Sequence, residues 1–193
     1  MQGYLIITVC TLAVIGVGIV FFSTHKGIPS PNMDFVSPYL ASAVATSTEQ
    51  SKSERIIPEG MRKYQNTAYR FSLFYPQELK VEERSEGGGA ATITFQDIEK
   101  AEGFQIFIVP YEGTQVSEQR FNQDVPSGVR NNLTNIAVDG ATAAAFYSTN
   151  IALGATSEVW VVHGRFLYEV TTLKTLDTWL ASIMQSWKFT QTL

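Results

Sequence analysis

The chain has 193 residues, with 14 Lys plus Arg against 18 Asp plus Glu and a net charge of −4. That length holds one domain with appendages, and no clustered basic stretch is present to neutralise phosphates, which argues against a nucleic-acid binder. The single cysteine, Cys10, excludes an intrachain disulfide and a Cys-based zinc site and leaves the redox compartment open.

Tyr4 to Phe22 is an uncharged apolar run of 19 residues. As a helix it is roughly 28 Å long, close to the ~30 Å of a bilayer core, so residues 4–22 are expected to form a transmembrane anchor. A cleaved signal peptide is the rival reading. It fits less well, because Met1-Gln2-Gly3 carries no Lys or Arg and the apolar run exceeds the usual signal length. Ala43-Val44-Ala45 lies too far downstream for ordinary cleavage. Ile7-Thr8-Val9 before Cys10 is a poor lipobox, and Cys10 reads as a small packing residue. The flanking His25 and Lys26 would by the positive-inside rule alone put the C-terminal side in the cytoplasm. The long tether that follows favours a domain outside it.

Residues 23–61 are expected to be a tether. Pro29, Pro31, Pro38 and Pro58 lie among many Ser, Thr and Ala residues, with too few large apolar groups to form a core. Some 40 flexible residues give a root-mean-square reach of roughly 35 Å. Phe35, Tyr39 and Leu40 interrupt the polar pattern as incidental tether residues.

The folded domain is placed at 62–193, and from Tyr64 to Leu193 the charges are 9 against 14, a net −5. In Tyr64 to Pro76, Phe71, Leu73 and Tyr75 alternate with Ser72 and Phe74, a period of two that predicts a first strand. Pro76 should end it or put it on an edge. Leu79 and Val81 continue toward Ser85 to Gly89, read as a glycine-rich turn into a strand at Ala91 to Phe95. No Gly-Lys-Ser/Thr follows Gly87-Gly88-Gly89, so a phosphate loop is not expected. Phe104, Phe107 and Val109 with Ile106 and Ile108 predict a central strand buried on both faces.

Ser117 with Glu118 predicts a capped helix closed by Pro126, followed by a short turn over Ser127 to Leu133. Asp139-Gly140 between Ile136, Val138 and the run from Ala141 to Tyr147 is a hairpin signal. Thr156 to His163, turning at Gly164 into Phe166, Leu167, Tyr168 and Val170, gives a further buried pair. Thr175 is expected to cap a last helix with Asp177 in its first turn. Leu176, Leu180, Ile183, Met184 and Trp187 form an apolar stripe for packing against the sheet, and Trp187-Lys188-Phe189 adds a terminal strand. The fold class is therefore α+β, an antiparallel β-sheet flanked by helices.

Tyr64-x-Asn66-x-x-Tyr69-x-Phe71-Ser72-Leu73-x-Tyr75-Pro76 resembles the opening of the PsbP-like superfamily in its bacterial envelope versions, with Arg70 where glycine is usual. Ile183-Met184-Gln185-Ser186-Trp187-Lys188-Phe189 is similar to the family's ending. The resemblance spans about Tyr64 to Phe189 and implies an αβα sandwich. Its members include a lumenal photosystem II subunit, a nuclear-import factor, envelope lipoproteins and secretion chaperones, for which protein binding is the common theme. The residues by which the photosystem subunit holds ions or partners have no match here, so none is carried over.

The catalytic inventory is poor: His25 beside the anchor and His163 at a hairpin turn are the only histidines. Gly-x-Ser-x-Gly is absent, and two histidines so far apart give no zinc spacing. His163 is the only candidate general base and lacks a visible orienting partner. Asp97, Glu99, Glu102 and Glu112 have the chemistry for weak calcium binding but no EF-hand spacing, so a solvated loop is preferred. Glu78, Glu82, Glu83 and Glu86 read the same way. No catalytic, cofactor or metal residue is assigned. The expected function is a non-enzymatic, single-pass, membrane-anchored extracytoplasmic module that binds another protein of the cell envelope. The alternative is a small-ligand or lipid carrier with a cleft between the sheet and the last helix, near Trp160 or Trp179.

Overall fold

The computed structural model describes residues 55–190 apart from Pro126. The expected anchor at 4–22 and nearly all of the tether lie outside the described residues. Among the described residues no helix is long and apolar enough to cross a membrane.

The Tyr64 to Pro76 stretch forms two strands, β1 (Met61–Asn66) and β2 (Phe71–Pro76), which pair antiparallel from Met61↔Pro76 to Asn66↔Phe71. The side chains that carried the family resemblance build this hairpin. Asn66 Oδ1 accepts from Tyr69 N at 2.9 Å, closing an Asx turn. Asn66 Nδ2 donates to Tyr64 Oη at 3.0 Å, and Tyr64 Oη donates to Glu83 Oε1 at 2.8 Å. Arg70 has φ +57°, the left-handed region that disfavours a Cβ. Phe71 is fully buried and stacks on Trp187 with centroids 4.4 Å apart. Upstream, Arg55, assigned by sequence to the tether, donates to Ser72 Oγ at 2.8 Å and to the Ser186 carbonyl. Its guanidinium lies 4.7 Å over the Phe74 ring.

The main sheet consists of β3 (Lys80–Gly87), β4 (Ala90–Asp97), β5 (Glu102–Pro110), β6 (Asn131–Val138), β7 (Ala141–Asn150), β8 (Gly154–His163) and β9 (Phe166–Leu173). Its seven strands run in the order β3-β4-β5-β9-β8-β7-β6, and every neighbouring pair is antiparallel. Gly87, Gly88 and Gly89 all have positive φ in the β3–β4 turn, a conformation that only glycine adopts without cost. Asp139 and Gly140 have φ +48° and +78°, the signature of a two-residue hairpin turn whose twist suits the flanking strands.

One face of this sheet supplies Ile93, Phe95, Phe104, Ile106, Ile108, Val159, Val161, Tyr168 and Val170 to the main core. It is covered by β2 and by α2 (Asp177–Met184), which contributes Leu180, Ile183 and Met184. After α2, β10 (Lys188–Phe189) pairs with β2 to complete a three-stranded sheet β1-β2-β10. The other face carries a second cluster, in which Phe121 and Val125 of α1 (Glu118–Asp124) and its C-cap lie on Phe146, Trp160, Val162 and Leu167. Ser117 caps α1 as expected, its Oγ accepting from Arg120 N at 3.2 Å. The helix ends with Val125 as its C-cap.

Four expectations are corrected. The chain forms two antiparallel sheets rather than one. β5 buries Phe104, Ile106 and Ile108 but leaves Gln105, Phe107 and Val109 half-exposed, because α1 lies over β7 and β8, and β9 occupies the middle of the sheet. Thr175 does not cap the last helix: it sits exposed inside a 3-10 turn (Lys174–Leu176), and the N-cap position of α2 is Leu176, with no side-chain cap. The expected turn over Ser127 to Leu133 is cut short, since β6 starts at Asn131 and takes in its last three residues.

Candidate functional site

The two outer edges of the main sheet differ in chemistry. β3 carries Lys80, Glu82, Glu83, Arg84 and Glu86, the charged side chains that discourage another strand from adding to an edge. β6, Asn-Asn-Leu-Thr-Asn-Ile-Ala-Val, carries no charge. Its residues are exposed from Asn131 to Ala137, and Leu133 and Ile136 keep 46% and 38% of their surface open.

The register of β6 identifies its free backbone groups. With a two-residue turn after Val138, the pairs Val138↔Ala141, Ile136↔Ala143 and Thr134↔Ala145 are those that exchange hydrogen bonds with β7, by the alternation of an antiparallel ladder. Asn135 and Ala137 therefore direct N–H and C=O outward, and no strand pairs with them among the described residues. A bulge between Asn131 and Thr134, with Asn132 at φ +58°, limits the regular edge to Thr134–Val138.

The same strand forms the lip of a cleft of about 620 Å³. Thr134, Ile136 and Val138 alternate onto its side, Ala145 and Val159 lie in the sheet floor, and Leu180, Met184 and Trp187 form the opposite wall. The small side chain of Ala145 on β7 leaves the floor low. The Trp187 indole N–H is buried and has no acceptor among the described residues. At one end of the cleft, Asp177 Oδ1 accepts from Ser157 Oγ at 2.5 Å and Oδ2 accepts from Tyr147 Oη at 3.0 Å. These bonds join the start of α2 to β7 and β8, and the carboxylate beside the phenol pushes the Tyr147 pKa up. Lys174 Nζ lies 4.5 Å over the Tyr147 ring, and no cation lies within ion-pair distance of Asp177 among the described residues. At the other end Asp139 accepts from Lys188 Nζ and, at 2.8 Å, from Phe189 N. Burial alone would raise the Asp139 pKa, but these two donors outweigh it and hold the group below its ordinary value.

The cleft lies between the sheet and the last helix, but beside Trp187 rather than Trp160 or Trp179. Trp160 is packed between Phe121 and Phe146 beneath α1, and Trp179 edges onto Phe104. His163 ends β8 and stacks on Phe189 with centroids 3.8 Å apart. Burial lowers its pKa, and the charge of Asp139 only partly offsets this. Both Asp139 oxygens accept from β10, and among the described residues the imidazole makes no hydrogen bond to that carboxylate. The acidic connector is internally bonded: Asp97 Oδ1 accepts from Glu99 N and Lys100 N, and Lys100 Nζ lies 3.4 Å from Asp97 and 3.7 Å from Glu78. Glu112 instead pairs with Arg165 at 2.7 Å, just beyond the Pro110↔Phe166 end of the β5–β9 ladder.

Two buried acids were not singled out by sequence. Glu158 on β8 accepts from Thr156 Oγ1 at 2.7 Å and Thr171 Oγ1 at 2.6 Å. Glu169 on β9 meets Arg120 of α1 at 3.4 Å, and Arg120 also pairs with Asp124. Burial raises both glutamate pKa values above the usual carboxylate range, and for Glu169 the neighbouring Asp124 carboxylate raises it further while Arg120 only partly compensates. Glu169 fastens α1 to the sheet through Arg120, Glu158 ties β8 to β9, and both lie away from the cleft.

No family model matches the chain, and no curated protein matches it. Among solved structures, it is similar to cyanobacterial PsbP (CyanoP) from Synechocystis sp. PCC 6803, determined in solution, with 14% sequence identity over 71% of this chain and 95% of that one and a TM-score of 0.48.

Proposed function

We propose that this chain is a non-catalytic, PsbP-like interaction module, held to a membrane by residues 4–22 and displayed on the extracytoplasmic side, which binds an envelope protein by accepting an extended segment of it as an eighth strand at β6. The observation that carries this reading is the contrast between the edges: β3 is armed with five charged residues, whereas β6 is uncharged and exposed and, among the described residues, no strand pairs with the outward backbone groups of Asn135 and Ala137. Main-chain hydrogen bonds supply affinity in strand addition, and side-chain pockets supply selectivity. The length of the apolar run and the tether behind it support the anchored placement.

The carrier reading has its own support in the cleft, whose volume falls within the range of small-molecule sites. Its floor and wall open beside β6, so the strand-addition reading uses the same space for the side chains of the added segment.

The test is photo-crosslinking in intact cells that produce the full chain, with a photoreactive amino acid placed at Ala137 on β6 or at Glu83 on β3. A partner adduct from position 137 and none from position 83 is expected. Equal yields from both, or only dimers of this chain at 137, would overturn the reading.

A further inference from the structure

We infer that the tip of the β7–β8 hairpin, Ile151-Ala152-Leu153, is a membrane-contacting finger that dips into the surface of a phospholipid bilayer. This rests on the anchored placement of the domain and is independent of strand addition at β6.

The tip projects beyond Asn150↔Gly154, the last pair of the β7–β8 ladder. Ile151 leaves 99% of its surface open, more than any other large apolar residue among the described residues; Ala152 is exposed and Leu153 half-exposed. No residue from Tyr147 to Ser157 is charged. The other hairpin turns of the main sheet differ. Gly88-Gly89 offers no side chain, and Glu99 with Lys100, Asp139 and Arg165 put charges into the β4–β5, β6–β7 and β8–β9 turns. A lone exposed isoleucine is common on proteins in water. A projecting loop that combines Ile and Leu and excludes charge is what contact with lipid requires, because a charged side chain is costly to move out of water. The tip backbone suits the same setting: Asn150 Oδ1 accepts from Ala152 N at 2.8 Å and Leu153 N at 3.1 Å, so these two N–H groups keep a partner when water is withdrawn.

Behind the tip, Leu153, Ala155, Leu173 and Lys174 line one shallow depression, and Lys174 Nζ lies 4.5 Å over the Tyr147 ring. Tyr147 is about 10 Å back along the strand from Asn150, at about 3.3 Å per residue. A tip at the boundary between headgroups and acyl chains therefore leaves the lysine and tyrosine at headgroup level, where tyrosine is enriched and a lysine head stays hydrated.

The chain enters the domain at the same end. β1 starts at Met61 opposite Pro76, and Glu78, just after Pro76, lies 3.7 Å from Lys100 in the β4–β5 turn. That turn, the end of β9 and the start of β8 are neighbours through the pairs Phe104↔Thr172 and Thr156↔Leu173. A tether of the length expected at 23–61 keeps this end within roughly 35 Å of its anchor. The β4–β5 turn carries Asp97, Glu99 and Glu102 against Lys100, so this end is not drawn to anionic headgroups on balance. The contact is apolar and forms on zwitterionic lipid.

The test uses the full chain carrying Cys10→Ala, reconstituted into phosphatidylcholine vesicles, with a fluorophore on Ala152→Cys or, as a control at the opposite end of the main sheet, on Glu112→Cys. Vesicles with brominated acyl chains should quench most of the emission at 152 and leave that at 112 unchanged, at low and at high salt alike. Ile151→Ser combined with Leu153→Ser should abolish the quenching at 152 while the circular dichroism of the chain stays the same. Equal quenching at both positions, or quenching at 152 that survives the double substitution in a folded chain, would overturn the inference. If the chain floats with the vesicles and the label at 152 stays unquenched, the anchored placement stands and the finger is wrong. If the chain does not float with the vesicles, the anchored placement falls and takes this inference with it.

Discussion

Glu158 offers a quantitative test of the interior. Its carboxylate is 7% exposed, accepts hydrogen bonds from two threonine hydroxyls, and has no cation within ion-pair distance among the described residues. Burial raises its pKa more than the hydrogen bonds lower it, and Glu169 on the next strand is raised in the same direction. The folded state therefore holds protons on these groups at pH values where the unfolded chain has released them. Stability should fall as pH rises above the unfolded glutamate pKa of about 4.3, and should continue to fall until the folded pKa is passed. Each such group contributes a slope of up to about 1.4 kcal/mol per pH unit, so the two together reach up to about 2.7. Glu158→Gln is neutral at every pH and retains an acceptor for one hydroxyl, while the other hydroxyl can rotate to accept from the amide. It should leave stability near pH 5 nearly unchanged, make the domain more stable than the parent near pH 7, and roughly halve the slope. Urea unfolding of a fragment beginning at Arg55, followed by tryptophan fluorescence at about pH 5, 6 and 7, reads this directly. A variant with the parent's pH dependence, or one destabilised equally at every pH, would refute the reasoning.

Arg70→Gly removes a Cβ from a left-handed position and should raise stability by about 0.5–1 kcal/mol, the relief of the left-handed strain less the entropy of the added glycine. Urea midpoints at constant slope check it. Phe71→Ala takes a fully buried ring away from Trp187, Tyr64 and Tyr168 and should cost about 3–5 kcal/mol, read as a lower midpoint in the same urea titration.

The parts of the fold legible in the sequence were those set by local signals. Asp139-Gly140 needs only its own dihedrals to make a turn, and the Leu180, Ile183 and Met184 stripe needs only helical periodicity; Leu176 and Trp187, expected in the same stripe, fall outside α2, which ends at Met184. The continuous run Val159-Trp160-Val161-Val162 points to a buried strand, and β8 is buried from Thr156 to Val162. The second sheet was not legible, because β2 acquires its partner Phe189 from more than a hundred residues away. Glu158 and Glu169 looked like ordinary polar positions in alternating strands; only the placement of α1 over that face makes them buried. The site was hidden for a related reason. Asn131 to Ala137 lacks a clean alternation of apolar and polar residues, and its exposed backbone becomes meaningful only once topology puts it last in the sheet. The sequence points to a cleft beside Trp160 or Trp179, yet it opens at Trp187, where Ala145 of β7 leaves space that no periodicity reveals.

The central claim is that β6 is a binding edge, and Ala137→Pro tests it most directly. Proline removes an N–H that points away from β7, so the internal ladder keeps its bonds. Measured together in the full chain, the unfolding midpoint should stay within about 1 kcal/mol of the parent, while the partner crosslink from a photoreactive residue at Asn135 disappears. A folded Ala137→Pro chain that crosslinks its partner as well as the parent does would contradict the account.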